Sequence, residues 1–368
     1  MRKTKVVLIS ISFALGSLYL ASTVAAKPNA PGLRIGILTA DSGELYFAGT
    51  IQRAATKLAV KDLEDAVRIS LSFEDPGDTD AEARSAINRL KEFEPQVLLA
   101  PIESNSARQV IRALDKTMLP MIATTPLEEN LGLNSKEKTW LFRLSSTQSQ
   151  DSFALASCIA KTKPSSVLVV YAETSYGKAI RRSVSFALTM HGTPKVQSLA
   201  ITDLKGIRKA QPEVLVLASM EESLVFLDQA KDWLERIPQV YFVPGNLANY
   251  SGEPFASELT GVEALVPKEV ISASFRARLA TALNNPALNT ARASFLALGQ
   301  RTYDSIVLAA ESAVGLKKNE SLRSALATSE LGGSKRFSAQ GYLEQPEYTV
   351  FRYLKSGDLA SVGSFSPN

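Results

Sequence analysis

Four short polar stretches carry the residue types that could do chemistry in this chain: "TADSGELY" (39–46), "APIESNSA" (100–107), "MIATTPLE" (121–128) and "FVPGNLAN" (242–249). Each follows an apolar run and leads toward a helical pattern. Their Ser, Thr, Asn and Gly residues offer hydroxyls and helix-start N–H groups, which suit a carboxylate or another small polar group. The same residues also cap helices, so convergence of several loops matters more than any one of them.

Covalent chemistry lacks its parts. There is one His, His191, and one Cys, Cys158, which leaves no basis for a zinc site or a His-based triad. No G-x-G-x-x-G follows the first strand, and neither a G-x-x-x-x-G-K-[ST] loop nor a G-x-S-x-G elbow occurs. No metal and no cofactor is expected. Cys158 lies in the apolar helical pattern "DSFALASCIAKT" and reads as a packing residue. His191, in "TMHG", reads as a cation near a helix C-terminus. A hydrolase built on carboxylates alone stays open at this level.

The elements that must position the polar loops repeat a strand–helix rhythm. "LRIGILTA" reads as a strand buried on both faces. From Phe47, apolar residues recur at Ile51, Ala55, Leu58 and Ala59, a helical spacing. "VRISLSF", "QVLLAP" and "MLPMIATTP" give further strands, with helices over "DTDAEARSAINRLKEF" and "SARQVIRALDKT"; Thr79 and Glu82 form a capping-box pattern. The rhythm restarts after Arg143 with "SSVLVVYA", "KVQSLAI", "EVLVLAS" and "QVYFVPG" as strands, and a helix expected to end at Gly192. A long helical pattern covers 290–314, and 348–365 reads as a hairpin about Ser356-Gly357-Asp358. The expected fold class is α/β, with parallel sheets, right-handed crossovers and helices on both faces.

The first residues read as an export signal: Arg2, Lys3 and Lys5, an apolar run from Val6 to Leu20, then Val24-Ala25-Ala26. Cleavage near Ala26, with no lipid-accepting Cys after it, implies a soluble periplasmic chain. Residues 1–26 hold three of the 41 Lys and Arg and none of the 37 Asp and Glu, so the remainder carries +1. That near-neutral surface gives no case for nucleic acid or an anionic membrane. A lone Cys permits no internal disulfide.

The order and spacing of "RIGILTADSGELYFAG", "FEDPGDTDAEARSAINRL", "LLAPIESNSA", "LPMIATTP", "FRLSSTQSQDSFALA", "VYAETSYGKAIRRS" and "TYDSIVLAAESA" resemble the type I periplasmic solute-binding proteins of the branched-chain amino acid ABC-transporter class. The likeness spans nearly all of 33–360. It implies two lobes joined by three hinge crossovers: 33–141 with 270–334, and 142–269 with 335–368. It also implies capture of a small solute in the interlobe cleft, a permease as partner, a monomer, and no catalysis. A sensor or envelope regulator using the same fold against a protein partner is the alternative.

Residue by residue, the resemblance places Ser104 at the family's ligand-binding serine and Ala123, Thr124 and Thr125 at its carboxylate-gripping loop. It places Tyr176 at a cleft aromatic of the second lobe and Ser42 in the first loop. Where relatives carry an aromatic before that loop's second Gly this chain has Ala48, with Tyr46 or Phe47 nearby. Relatives that bind amino acids carry an acid where Gly245 stands, beside Asn246, and a cleft aromatic where Met220 stands. Glu221 or Glu222 is the available substitute for the acid. The expected ligand is a small carboxylate or amide rather than leucine, isoleucine or valine.

Overall fold

The computed structural model describes residues 32–43, 45–114, 119–126, 129, 131, 140–218, 226–227, 229–243, 259–268, 271–284, 293–330, 337–338, 341–344 and 346–366. The first sheet holds β1 (Gly32–Leu38), β2 (Arg68–Glu74), β3 (Val97–Leu99), β4 (Met121–Ala123) and β5 (Leu141–Arg143), in the order β2-β1-β3-β4-β5. All its pairings are parallel. The second sheet holds β6 (Val167–Tyr171), β7 (Val196–Ala200), β8 (Val214–Ala218), β9 (Gln239–Phe242), β10 (Glu263–Pro267), β11 (Tyr348–Tyr353) and β12 (Leu359–Phe365), in the order β12-β11-β10-β9-β8-β6-β7. It is parallel from β7 to β10; β11 runs antiparallel to β10 and turns back as a hairpin to β12.

The helices cover both faces of both sheets, as the continuous apolar strands require. Against the first sheet lie α1 (Tyr46–Leu63), α2 (Asp80–Phe93) and α3 (Ser104–Leu114). With the second go α4 (Gln148–Ala160), α5 (Ser175–Met190), α6 (Leu204–Lys209) and α7 (Lys231–Leu234). Leu155, Ile159, Val184 and Leu188 bury one face of the second sheet, and Ile207, Phe226 and Trp233 the other. The chain then returns: α8 (Ala273–Ala282), α9 (Ala293–Val314) and α10 (Leu322–Thr328) belong to the first lobe. Ile306, Leu308 and Leu326 share a core with Ile35, Ile37 and Leu99, while Phe275, Leu279 and Leu296 pack on Ile51 and Ala55 of α1.

The chain therefore crosses between lobes three times: after β5, after β10, and before β11. Phe337 and Leu343, joined by an isolated antiparallel bridge, pack in the first lobe's core, so the last crossing lies between Leu343 and Tyr348. The Thr79–Glu82 capping box is present at the start of α2. Gly192, at φ +77, follows the end of α5 and donates its N–H to Thr189 O. Among the described residues no helix is long and apolar enough to cross a membrane.

Candidate interlobe binding site

Parallel strands deliver their loops to one edge of a sheet, and in the first lobe the loops after β1, β3 and β4 share that edge. The loop after β1 is pinned from both sides. Asp41 forms a bidentate pair with Arg53, whose guanidinium lies 4.4 Å over the Phe73 ring, and the Asp41 N–H donates to Asp75 Oδ2 at 2.8 Å. Ser42 sits exposed at the tip of this loop, and Tyr46, at 59% exposure, opens α1. Phe47 meets Phe295 edge-on, with ring centroids 5.1 Å apart. Helix α1 approaches the end of β1 so closely that a Cβ on Gly49 would lie 1.9 Å from Ala40 O. Only glycine allows that contact.

The other two loops are tied to each other. Thr125 Oγ1 donates to Ile102 O at 2.7 Å, which brings the turn after β4 against the turn leading to Ser104. Ser104 is the first residue of α3 and is half-buried. Ala123 and Thr124 are buried, and the Ala123 carbonyl accepts from the Leu144 N–H. Thr124 is held twice more: Gln52 Nε2 donates to its Oγ1 at 3.4 Å, and Arg301 Nη1 donates to its carbonyl at 2.9 Å. Gln52 has no solvent exposure, and its Oε1 has no partner among the described residues. Ser104, Ala123, Thr124 and Thr125 thus come together on one edge, while Ser42 and Tyr46 occupy the neighbouring loop and helix start.

The second lobe's contribution is less fully described. Tyr176 lies in the first turn of α5, whose N-terminus is capped by Thr174 Oγ1 accepting from the Gly177 N–H. Glu221, Glu222, Gly245 and Asn246 lie outside the described residues, as does Met220. Cys158 is half-buried on α4 against the second lobe's core, and burial pushes its thiol pKa up, away from nucleophilic character. His191 ends α5, its ring 6.1 Å from that of Phe153. Among the described residues no group of three His, Cys, Asp or Glu side chains is placed to hold a metal.

Sequence reasoning missed the residues at the lobe junction. Arg143, 1% exposed at the end of β5, donates from Nη2 to Leu131 O at 2.7 Å and lies 4.8 Å over the Tyr342 ring. Tyr342 OH in turn donates to Glu129 O at 2.9 Å. Burial lowers the Arg143 pKa from its usual value. One cation therefore ties the end of β5 at the first crossing to the loop after β4 and to Tyr342, just before the last crossing. Its signal was visible as a charge inside the apolar strand "LFRL". Asp151, in the first turn of α4, accepts from Tyr348 OH at 2.9 Å. Its pKa is pushed up to about 6 by burial, against the opposing effects of Ser146, Tyr348 and Arg301. Ser146 Oγ is close to this carboxyl without the geometry of a hydrogen bond. Nothing in the linear sequence pairs Asp151 with Tyr348, 197 positions away.

Comparison with known proteins agrees with this architecture. The family model described as "Periplasmic binding protein" matches residues 32–232, more than half of the chain. No curated protein matches the sequence significantly. Among solved structures, a putative branched-chain amino acid ABC transporter protein from Rhodospirillum rubrum is 18% identical with a TM-score of 0.70, over 90% of this chain and 100% of that one. The branched-chain amino acid transporter substrate-binding protein LivJ of Streptococcus pneumoniae, solved with isoleucine, is 17% identical with a TM-score of 0.66, over 92% and 100%. A solute-binding protein of an ABC transporter from R. palustris, solved with benzoate, is 16% identical with a TM-score of 0.63, over 92% and 97%. With two α/β lobes, three crossovers and the family match together, the chain belongs to the periplasmic binding proteins.

Proposed function

We propose that this protein captures a small carboxylate or amide solute between its lobes and presents it to an ABC-transporter permease, without changing it chemically. The observation that carries the proposal is the joined edge of Ser104, Thr124 and Thr125. Two loops bound to each other bring these residues and the start of α3 to the edge of the first sheet where its strands end, and a helix start is suited to an anion. The lobes divide near 33–141 with 270–343 and 142–269 with 344–368. They close by a hinge when solute contacts both faces, since the closed form then gains the differential affinity. The mature chain begins near Lys27 after export and acts as a monomer.

Gly245 supports a ligand without an ammonium group. A buried, unpaired charge costs several kcal/mol, which at micromolar affinity (about 8 kcal/mol) removes most of the binding. The relatives include proteins solved with isoleucine and with benzoate, so the scaffold is compatible with either ligand type. A thermal-shift panel tests the reading. Solute at a hundred times its Kd adds about 2.7 kcal/mol. Benzoate-like acids or simple amides should raise Tm clearly, and leucine, isoleucine and valine should not. If leucine binds at micromolar concentration, the ligand assignment is wrong; if no small acid, amide or amino acid shifts Tm, the solute-binding role itself fails.

A further inference from the structure

The hydrogen bonds of the joined turn bear on which solute it accepts. Thr125 Oγ1 spends its hydrogen on Ile102 O at 2.7 Å, so toward a solute this hydroxyl has only lone pairs to offer. Lone pairs suit an N–H and repel a carboxylate. An anion at this edge therefore needs donors from elsewhere, and the start of α3 at Ser104 supplies only a partial charge.

Arg301 stands where such a donor is needed. Phe295, in the first turn of α9, meets Phe47, in the first turn of α1, with ring centroids 5.1 Å apart. Helix α9 thus begins at the edge of the first sheet where the loop after β1 ends. The two helices stay close: a Cβ on Gly299 would lie 3.4 Å from the side chain of Ile51. Arg301 follows within a turn, half-buried, and its Nη1 donates to Thr124 O at 2.9 Å. The guanidinium is therefore fixed against the residue next to Thr125. This bond to a neutral carbonyl holds the cation in place without cancelling its charge. Arg53 and Arg278, which also lie against α1 or its preceding loop, are each engaged by a carboxylate, Asp41 and Asp62.

We infer that Arg301 is a specificity-determining residue of the solute site: its guanidinium supplies the positive charge that meets the solute, so the captured solute is a net anion, a carboxylate rather than the neutral amide of the same shape. The inference rests on the solute-capture reading and narrows it. A guanidinium carries five donors in a planar fork that matches the two oxygens of a carboxylate. A primary amide offers that fork one oxygen and turns N–H groups toward it in place of the second. An amino acid brings its ammonium near the same cation, where like charges repel.

The test is isothermal titration of the purified protein at pH 7.5 with matched pairs, benzoate against benzamide and propionate against propionamide. At least one acid should bind, roughly tenfold or more tighter than its amide. Arg301→Gln should weaken the acid roughly ten- to a hundred-fold and leave the amide within about threefold, which erases the preference. Arg301→Lys, which keeps the charge, should keep the preference. An Arg301 that only braces the Thr124 turn would move acid and amide together, because both depend on that turn. If Arg301→Gln does not fold, a wild-type preference for the acid that Arg301→Lys retains upholds the inference, and equal wild-type affinities overturn it. Parallel losses of acid and amide in Arg301→Gln overturn it too, and leave solute capture standing. Binding of none of the four overturns the inference, and only a flat thermal-shift panel takes solute capture down with it.

Discussion

The two lobes share one scaffold and differ in what they bury. The order β2-β1-β3-β4-β5 in the first is repeated as β7-β6-β8-β9-β10 in the second, with the β11–β12 hairpin added beyond β10. Even a local device recurs. Gly49, in the first turn of α1, meets Ala40 O; Gly177, in the first turn of α5, would place a Cβ 2.2 Å from Ala172 O. Each lets a helix start press onto the end of its strand. Among the described residues, however, the buried polar side chains gather in the first lobe and at the first crossing. Thr39, Gln52, Thr56, Thr124, Arg143, Ser145, Ser146 and Thr147 stand there, while the second lobe's described core is almost wholly apolar. The scaffold is duplicated but the chemistry is not. Under the solute-capture proposal, that distribution among the described residues would concentrate specificity in the first lobe and the junction and leave the second lobe as the moving wall.

The shared scaffold is most severely tested at its glycines. A methyl group at Gly49 or Gly177 meets backbone oxygen that cannot rotate away, so each Ala substitution should cost about 3 kcal/mol, the upper part of the range for overpacking. Urea unfolding should show comparable losses at the two sites. A Gly177→Ala protein of wild-type stability would show that the second lobe lacks the tight approach and that the symmetry is only topological.

Arg143→Met sharpens the claim that the junction carries its own chemistry. Removing the guanidinium leaves the Leu131 carbonyl without this donor in a buried setting and loses the stacking on Tyr342. Methionine fills part of the space but cannot donate, so a loss of about 2–3 kcal/mol is expected. Because the residue joins three segments at the crossings, the loss should come with a changed radius of gyration. A loss with unchanged lobe geometry would make Arg143 an ordinary core anchor.

Asp151 predicts a gain. Its folded-state pKa, about 6, lies above the usual 3.8, so its ionisation disfavours this fold. The contribution is fully favourable below pH 3.8 and is lost as pH rises through 6. Asp151→Asn should therefore stabilise the protein by on the order of 2 kcal/mol at pH 7.5 and by nothing near pH 3.5. Denaturant titrations at the two pH values check it. Equal effects at both would remove the titration from the comparison and leave only a packing change.

Ser104→Ala probes the first lobe's claim to the solute. Loss of one hydrogen bond to a charged group costs about 1.5–3 kcal/mol, or roughly ten- to a hundred-fold in affinity. Stability should move little, since Ser104 opens its helix at a half-buried position. A large fall in Tm with affinity intact would mean that Ser104 caps α3 and does not touch solute.

The sequence made the scaffold legible because strands buried on both faces and amphipathic helices leave local periodic signals, as "LRIGILTA" and Phe47–Ala59 do. The Thr79–Glu82 box and the hairpin at Gly357 were legible for the same reason, since each is a few residues long. Ser104 and Thr125 could be placed on loops, but the Thr125–Ile102 bond that joins those loops could not. Gln52 was hidden because it interrupts an apolar helical face without breaking its period. Arg301 was hidden because its bond to the Thr124 carbonyl depends on the chain returning to the first lobe after β10. Periodicity reports what each element buries, not which elements the crossovers bring together.

The smallest effect belongs to Cys158, and it bears on the second lobe's role as scaffold. The side chain packs against a cluster that includes Leu155, Ile159 and Val169. Burial, with the Glu263 charge adding to it, pushes the thiol pKa up; Lys161 opposes weakly. A thiol so placed stays protonated near neutral pH and is a poor nucleophile. Cys158→Ser keeps the shape but introduces a hydroxyl that needs a partner. On a helix that hydroxyl can turn to the carbonyl four residues back, here Ala154, so the cost should be about 1 kcal/mol rather than the full penalty of a stranded group. Solute-induced shifts in Tm should match the wild type, and alkylation at pH 7 should be slow until the protein is unfolded. Rapid alkylation of the folded protein that is blocked by solute would place Cys158 at the cleft, and the second lobe would then contribute more than a wall.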